Sequence, residues 1–125
     1  MTDWTSAELD SIGRAEELEL TSLRRDGMPR KPVTLWVVRH GDNLYVRSAY
    51  GRGAAWFRGT QLRHEGRISA GGVEKDVTFI EAGAAFGDEI DAVYRTKYRR
   101  HGARYIDPVV SSEARSTTIK LLPRG

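Results

Sequence analysis

Apolar residues follow two different periods along this chain, and the changes between them mark out its elements. Residues 6–17 carry Leu9, Ile12 and Ala15 at helical spacing, behind a Thr5/Glu8 pair spaced as a capping box. Trp4 and Leu9 stand at the spacing of a hydrophobic staple, so Trp4 reads as packing. From Leu18 the period falls to two: Leu18 and Leu20 alternate with Glu19 and Thr21 until the turn dipeptide Asp26-Gly27. Lys31–Arg39 follows, with Val33, Leu35 and Val37 on one face and Thr34, Trp36 and Val38 on the other. A strand apolar on both faces belongs inside a covered sheet or barrel. His40-Gly41-Asp42-Asn43 predicts a tight turn, and Leu44–Ser48 an antiparallel return that completes a three-stranded meander.

Gly51 and Gly53 end that strand, and Ala54–Arg58 predicts a short helix weakened by Gly59. Gly66–Ala70 and Val73–Glu81 predict a hairpin joined by Gly71-Gly72. In its second strand Val73, Val77 and Phe79 face one side, and Glu74, Asp76 and Thr78 the other. Asp88 is placed to cap a helix over about 88–101, with Ile90, Val93, Tyr94, Lys97 and Tyr98 on one face. Arg99, Arg100 and His101 crowd its last turn, where cations complement the helix dipole, and Gly102 stops it. The chain through Pro108 reads as irregular, and Thr117–Leu122 as a last strand ended by Pro123. The total is about six antiparallel strands, within 18–81 and 117–122, and two to three flanking helices. This is a mainly β, α+β pattern that favours a small closed or half-closed barrel with helices outside it.

Composition narrows the class. A length of 125 residues predicts one domain, 1–125, and 39% hydrophobic with 30% charged residues is ordinary globular material. No apolar run approaches the roughly 20 residues of a bilayer span, and Met1–Thr5 lacks the basic flank and apolar stretch of a secretory signal. Cysteine is absent, which excludes disulfides and thiolate chemistry, and the expected location is cytoplasmic. The net charge of +3 comes almost wholly from arginine. That balance fits a phosphorylated small ligand better than nucleic acid, which needs a denser cationic face and stands as the weaker alternative.

Two basic turns carry the candidate chemistry: Arg24, Arg25, Arg30 and Lys31 around the first, and Ser48, Gly51 and Arg52 in the second. Guanidinium groups with the backbone amides of a glycine turn satisfy phosphate oxygens, although cations at a hairpin tip equally protect an exposed edge. Trp36 and Trp56 can wall a planar ring or pack a core. Arg47 can reach a ligand or pair across the sheet with Asp76 or Glu74. Tyr94, Lys97 and Tyr98 present either a proton donor or a core face with a snorkelling lysine. His40, His64 and His101 lack metal-ligand spacing, so no metal site is expected, and no Ser-His-acid pattern is present.

Several runs resemble a known superfamily. Thr21–Arg30, Thr34–Asp42, Tyr45–Ser48 and Ala55-Trp56-Phe57 resemble the front half of the flavin-binding split barrels, pyridoxamine-phosphate-oxidase-like proteins, and in particular their deazaflavin-dependent nitroreductase branch. Trp36–Arg39, Leu44–Gly51, Gly66–Val73 and Ala92–Tyr98 resemble more closely an uncharacterised bacterial domain-of-unknown-function family within that superfamily. The resemblance implies a six-stranded antiparallel split β-barrel, a homodimer, and FMN or 8-hydroxy-5-deazaflavin held at the subunit interface by an oxidoreductase acting on a small organic acceptor. It implies that Arg24, Arg25, Arg30 and Lys31 contact phosphate or tail, that Thr34, Trp36 and Trp56 border the ring, and that Ser48, Gly51 and Arg52 close the second turn. Beside Trp56 stand Ala54 and Gly59-Thr60, where the deazaflavin branch carries a proline and an asparagine-leucine pair, so the cofactor stays open between the two. A non-catalytic module that binds a phosphorylated or hydrophobic small molecule is the alternative on the same fold.

Overall fold

The structure, a computed structural model, describes residues 3–83 and 85–124, so Met1 and Thr2 of the start considered above lie outside it. The elements are α1 (Ser6–Arg14), β1 (Leu18–Ser22), β2 (Val33–Leu35), β3 (Val38–His40), β4 (Asn43–Val46), α2 (Ala55–Leu62), β5 (Glu65–Ala70), β6 (Val73–Glu81), α3 (Gly87–Lys97), α4 (Ala103–Val109), α5 (Ser112–Arg115) and β7 (Ile119–Pro123). All strand pairings are antiparallel, in the order β2-β1-β5-β6-β7-β4-β3.

The two edges of that order, β2 and β3, are consecutive in the chain and separated only by Trp36 and Val37. Three residue steps reach about 10 Å at most, so both edges stand close together and the sheet is curled into a half-barrel. The strand expected over Lys31–Arg39, inside the sheet, is formed but divided, and its two halves are the sheet's two edges. Its first half pairs with β1 (Leu18↔Leu35, Leu20↔Val33), and its second half pairs with β4 (Val38↔Tyr45). This one division turns six expected strands into seven segments and leaves the fold class unchanged.

At the division Val37 leaves both ladders, and α3 supplies its partners. The Val37 N–H donates to Tyr98 Oη (3.1 Å), and Lys97 Nζ donates to the Val37 carbonyl (2.6 Å). The Tyr98 hydroxyl donates in turn to the Glu16 carbonyl (2.8 Å). Tyr98 is fully buried, and burial raises its pKa far above the ordinary value. Burial pushes the Lys97 ammonium down to about 8. The same contact ends α1 at Arg14 instead of residue 17. Glu16 is spent outside the helix, its carbonyl on Tyr98 and its carboxylate on Arg100 (2.7 Å) and His101 (2.8 Å).

Alternation along the strands separates two cores. Leu18, Leu20, Val37, Leu44, Val46, Ile68, Val77, Phe79, Ile119 and Leu121 fill the barrel with Leu9 and Ile12 of α1. Val38 and Tyr45, on the other face of β3 and β4, pack against Ile90, Tyr94 and Tyr98 of the α3 segment and Ile106 and Val109 of α4. The expected capping box is formed, with Thr5 Oγ1 and Glu8 Oε1 each accepting the other's backbone N–H. Trp4 is buried and its Nε1 donates to the Leu121 carbonyl (2.9 Å). Gly71 and Gly72, at φ 57° and 83°, make the tight hairpin that their sequence predicts.

Two local expectations differ. α3 begins at Gly87 after Phe86, and Asp88 lies in its first turn, paired with Arg115 (2.6 Å) instead of capping. The stretch expected to be irregular holds α4 and α5. Pro108 sits in the last turn of α4, where it forgoes the hydrogen bond an N–H would give to the Arg104 carbonyl, and burial of Ile106 and Val109 offsets that loss.

Tyr98→Phe leaves the Val37 N–H and the Glu16 carbonyl without the phenol. The expected loss is about 1–3 kcal/mol, seen as a lower urea midpoint at unchanged slope. An unchanged midpoint would show that the hydroxyl does not hold the split together.

Candidate functional site

The divided strand, the β4–α2 connection and α4 enclose a cleft of about 610 Å³. That lies within the roughly 300–1,000 Å³ typical of small-molecule sites. Val33, Thr34, Leu35 and Trp36 form one wall. Ala49, Tyr50 and Trp56 form a second, and Arg104, Tyr105, Pro108 and Val109 of α4 a third. Arg47 and Tyr94 lie at the inner end. Trp36 is held by stacking on Tyr98, with ring centroids 3.9 Å apart and planes within 4°, and His101 tilts against it at 5.2 Å. The wall is therefore preset by packing, which lowers the cost of ordering it around a planar ligand.

Period two along β4 sends Leu44 and Val46 into the barrel and Tyr45 and Arg47 outward, so Arg47 is buried under α3 and α4. Its guanidinium donates to Asp91, to Thr118 Oγ1 (2.9 Å), to the Val109 carbonyl (3.0 Å) and to the Gly87 carbonyl (3.4 Å). Arg115 donates to the other Asp91 oxygen through Nε (3.0 Å) and a terminal nitrogen (2.6 Å). Burial alone would raise the Asp91 pKa, but the hydrogen bonds and charges of Arg115 and Arg47 outweigh it and hold the carboxyl below its ordinary 3.8. Arg47 thus pairs, as one of its two sequence readings held, but with Asp91 on a helix. Asp76 and Glu74 are taken by Arg67 (2.8 and 3.2 Å).

Among the residues singled out from sequence, Thr34, Trp36 and Trp56 line the cleft. Thr34 Oγ1 donates to Glu19 (3.0 Å). Ser48 and Gly51 build the turn that aims Ala49 and Tyr50 at it. Ser48 Oγ donates to the Gly51 carbonyl (2.7 Å), the Ser48 N–H donates to Thr117 Oγ1 (2.9 Å), and a Cβ on Gly51 would collide with the Glu113 carboxylate. Arg52 turns away, over Phe57 (5.4 Å) and toward the Ser116 carbonyl (3.1 Å). Arg24 and Arg25 are exposed on the first turn, which Arg63 ties to α2 through the Arg25 carbonyl (3.1 Å). Arg30 lies against Gly59 of α2 with a buried, unpartnered Nε, and Lys31 is exposed. Among the described residues none of Arg24, Arg25, Arg30 and Lys31 forms an ion pair.

Sequence reasoning missed Tyr50 and the α4 wall. Arg104, whose guanidinium sits 5.8 Å from the Tyr105 ring, is exposed at the mouth. The spacing of Ile106 and Val109 after Gly102 was the available signal, masked by Pro108. No group of His, Asp and Glu among the described residues is placed to hold a metal. No helix among them is long and apolar enough to cross a membrane.

The family described as uncharacterised proteins conserved in bacteria, DUF2255, matches residues 8–121, and the chain belongs to it. No curated protein matches. Solved structures share the fold at low identity. The heme storage protein HutZ of Vibrio cholerae is 14% identical with a TM-score of 0.65, over 96% of this chain and 90% of that one. An F420 reductase is 12% identical with a TM-score of 0.52, over 97% and 94%. An FAD-binding protein from Mesorhizobium loti is 13% identical with a TM-score of 0.58, over 98% and 91%. At these identities the likeness is one of fold: the split barrel that the resemblance implied.

Removing Asp91 strands a buried guanidinium, so Asp91→Ala is expected to cost about 3–5 kcal/mol in denaturant unfolding. Because the folded pKa lies below the unfolded one, this stabilisation is complete above the ordinary value of 3.8 and is lost as pH falls through the folded value. The variant should therefore show a flatter acid limb in a plot of stability against pH. Identical acid limbs would dismiss the pair as the cause.

Proposed function

We propose that this DUF2255 member binds a flavin-type cofactor, FMN or 8-hydroxy-5-deazaflavin, with the tricyclic ring in the aromatic cleft, and passes hydride or electrons to a small organic acceptor. The observation that carries this reading is the cleft wall. Trp36, Trp56 and Tyr94, with Val33, Leu35 and Val109, offer apolar and aromatic surface to a flat ring system. When bound, such a cofactor supplies the hydride chemistry, and the protein supplies binding, orientation and exclusion of water.

Cations suited to a phosphate or anionic tail lie at two places. Arg104 is at the mouth, and Arg30 and Lys31 lie on the chain leading into Val33, two to three residues or about 7–10 Å along an extended strand. Arg24 and Arg25 extend that cluster, and Ser48, Gly51 and Arg52 shape the turn that carries Tyr50 over the opening. Tyr50 and Tyr105 are 88% and 58% exposed at the mouth. A second copy of the chain covering them would bury aromatic surface and complete the site, as the split-barrel resemblance implies. The named functions of the structural neighbours, heme storage, F420 reduction and FAD binding, agree in taking a large cyclic ligand. A flavin is preferred over heme because none of His40, His64 and His101 lines the cleft to serve as an axial ligand.

One observation favours the non-catalytic module as a second reading. No carboxylate or histidine lines the cleft among the described residues, so the chain offers no general base there. A cofactor that binds but is reduced by neither NADPH nor reduced deazaflavin would decide for it.

Titration with FMN, riboflavin and F420, read by fluorescence and melting temperature, should give saturable binding and a raised melting point for at least one of them. Arg30→Ala combined with Lys31→Ala should weaken FMN about 10–100-fold while sparing riboflavin, which lacks the phosphate. Equal losses for both ligands would refute the phosphate assignment, and no saturable binding of any ligand would sink the flavin reading.

A further inference from the structure

One side chain at the inner end of the cleft carries a proton that the fold does not use. Tyr94 is 1% exposed and lines the inner end of the cleft, and its hydroxyl, approached by the Arg47 backbone N–H, donates its own proton to nothing among the described residues. The ring is fixed by Tyr98, 6.2 Å away between centroids, and by the Arg47 guanidinium, 5.4 Å from its centre. A buried hydroxyl whose proton goes undonated destabilises a folded chain, and phenylalanine would fill nearly the same volume without that cost. Burial raises the Tyr94 pKa far above the ordinary value, so the group is a neutral phenol with one proton to donate. Beside it, four hydrogen bonds take four of the five N–H donors of Arg47. No carboxylate lines the cleft among the described residues, so no anion there competes for the Tyr94 proton.

We propose that Tyr94 reads the ligand: its hydroxyl donates to a ring carbonyl oxygen on the edge of a planar heterocycle, and the stability forgone in the ligand-free protein returns on binding. This assignment rests on the cleft being a ring-binding site. It narrows the ligand class to heterocycles carrying such an oxygen, because a hydrocarbon ring would leave the phenol unpaired and be discriminated against.

The test is Tyr94→Phe with riboflavin as probe, the isoalloxazine ring without its phosphate. The ligand-free variant should melt about 3–5 °C higher than the wild type. Its affinity for riboflavin should fall about 10-fold. In difference infrared spectra, a carbonyl stretch of bound riboflavin should move to higher frequency when the donor is removed. A lower melting point for the ligand-free variant would show that the hydroxyl is satisfied within the chain and would overturn the proposal. Unchanged affinity and carbonyl frequency in a variant that still binds would overturn it too, while leaving the ring-binding reading in place. Failure of the wild type to bind riboflavin, FMN or F420 would remove that reading and this assignment together.

Discussion

The hydroxyl of Tyr98 lets the sheet be split and yet closed. A strand that changes partners halfway must leave one residue unpaired between its two ladders, and an unpaired buried peptide group costs free energy comparable to a lost hydrogen bond. Here that residue is Val37, and its N–H and carbonyl are met by Tyr98 and Lys97 at the end of α3. Because the phenol reaches Glu16 as well, one side chain joins the strand, the helix and the exit of α1. Stacking of Trp36 on the same ring then makes the wall of the cleft a by-product of how the barrel closes.

A second constraint acts through Arg47. Alternation along β4 forces this cation out of the barrel and under two helices, where it is tolerable only if Asp91 and two backbone carbonyls receive it. The resulting network places α3 and α4, and therefore the inner end and one wall of the cleft. The Arg47 guanidinium is wholly buried with its donors mostly spent, while the phenol beside it donates its proton to nothing among the described residues. In the proposed complex, that unused proton would meet a polar edge entering from the mouth. The aromatic walls suit the flat body that would follow that edge.

Much of this was legible along the chain. The two faces of residues 33–38, the glycine hairpin at 71–72, the capping box at Thr5 and Glu8, and the helix bearing Tyr94 and Tyr98 all follow from local period and turn chemistry, and all are formed. Thr34, Trp36 and Trp56, candidates by residue type and position in the sequence, line one cleft. What escaped was α4, since Pro108 is a breaker by propensity and only burial of Ile106 and Val109 against Val38 and Tyr45 holds the helix there. The partner of Arg47 also escaped, because cross-strand spacing points to Asp76 and Glu74, and only the fold carries Asp91 over the strand.

By itself, then, the sequence determined most of the elements, the two-faced stretch of residues 33–38, the family and the two basic turns, since each depends on residues within a few positions of one another. Only the tertiary structure decided that this stretch divides at Val37 into the two edges of the sheet, that Arg47 is spent on Asp91, that Arg104 and Tyr105 close a cleft opened by residues 33–36, and that the Tyr94 hydroxyl donates to nothing among the described residues. Each of those outcomes depends on which groups meet across tens of residues. Hydrogen-bond satisfaction and burial settle such meetings in three dimensions, and local propensity does not encode them.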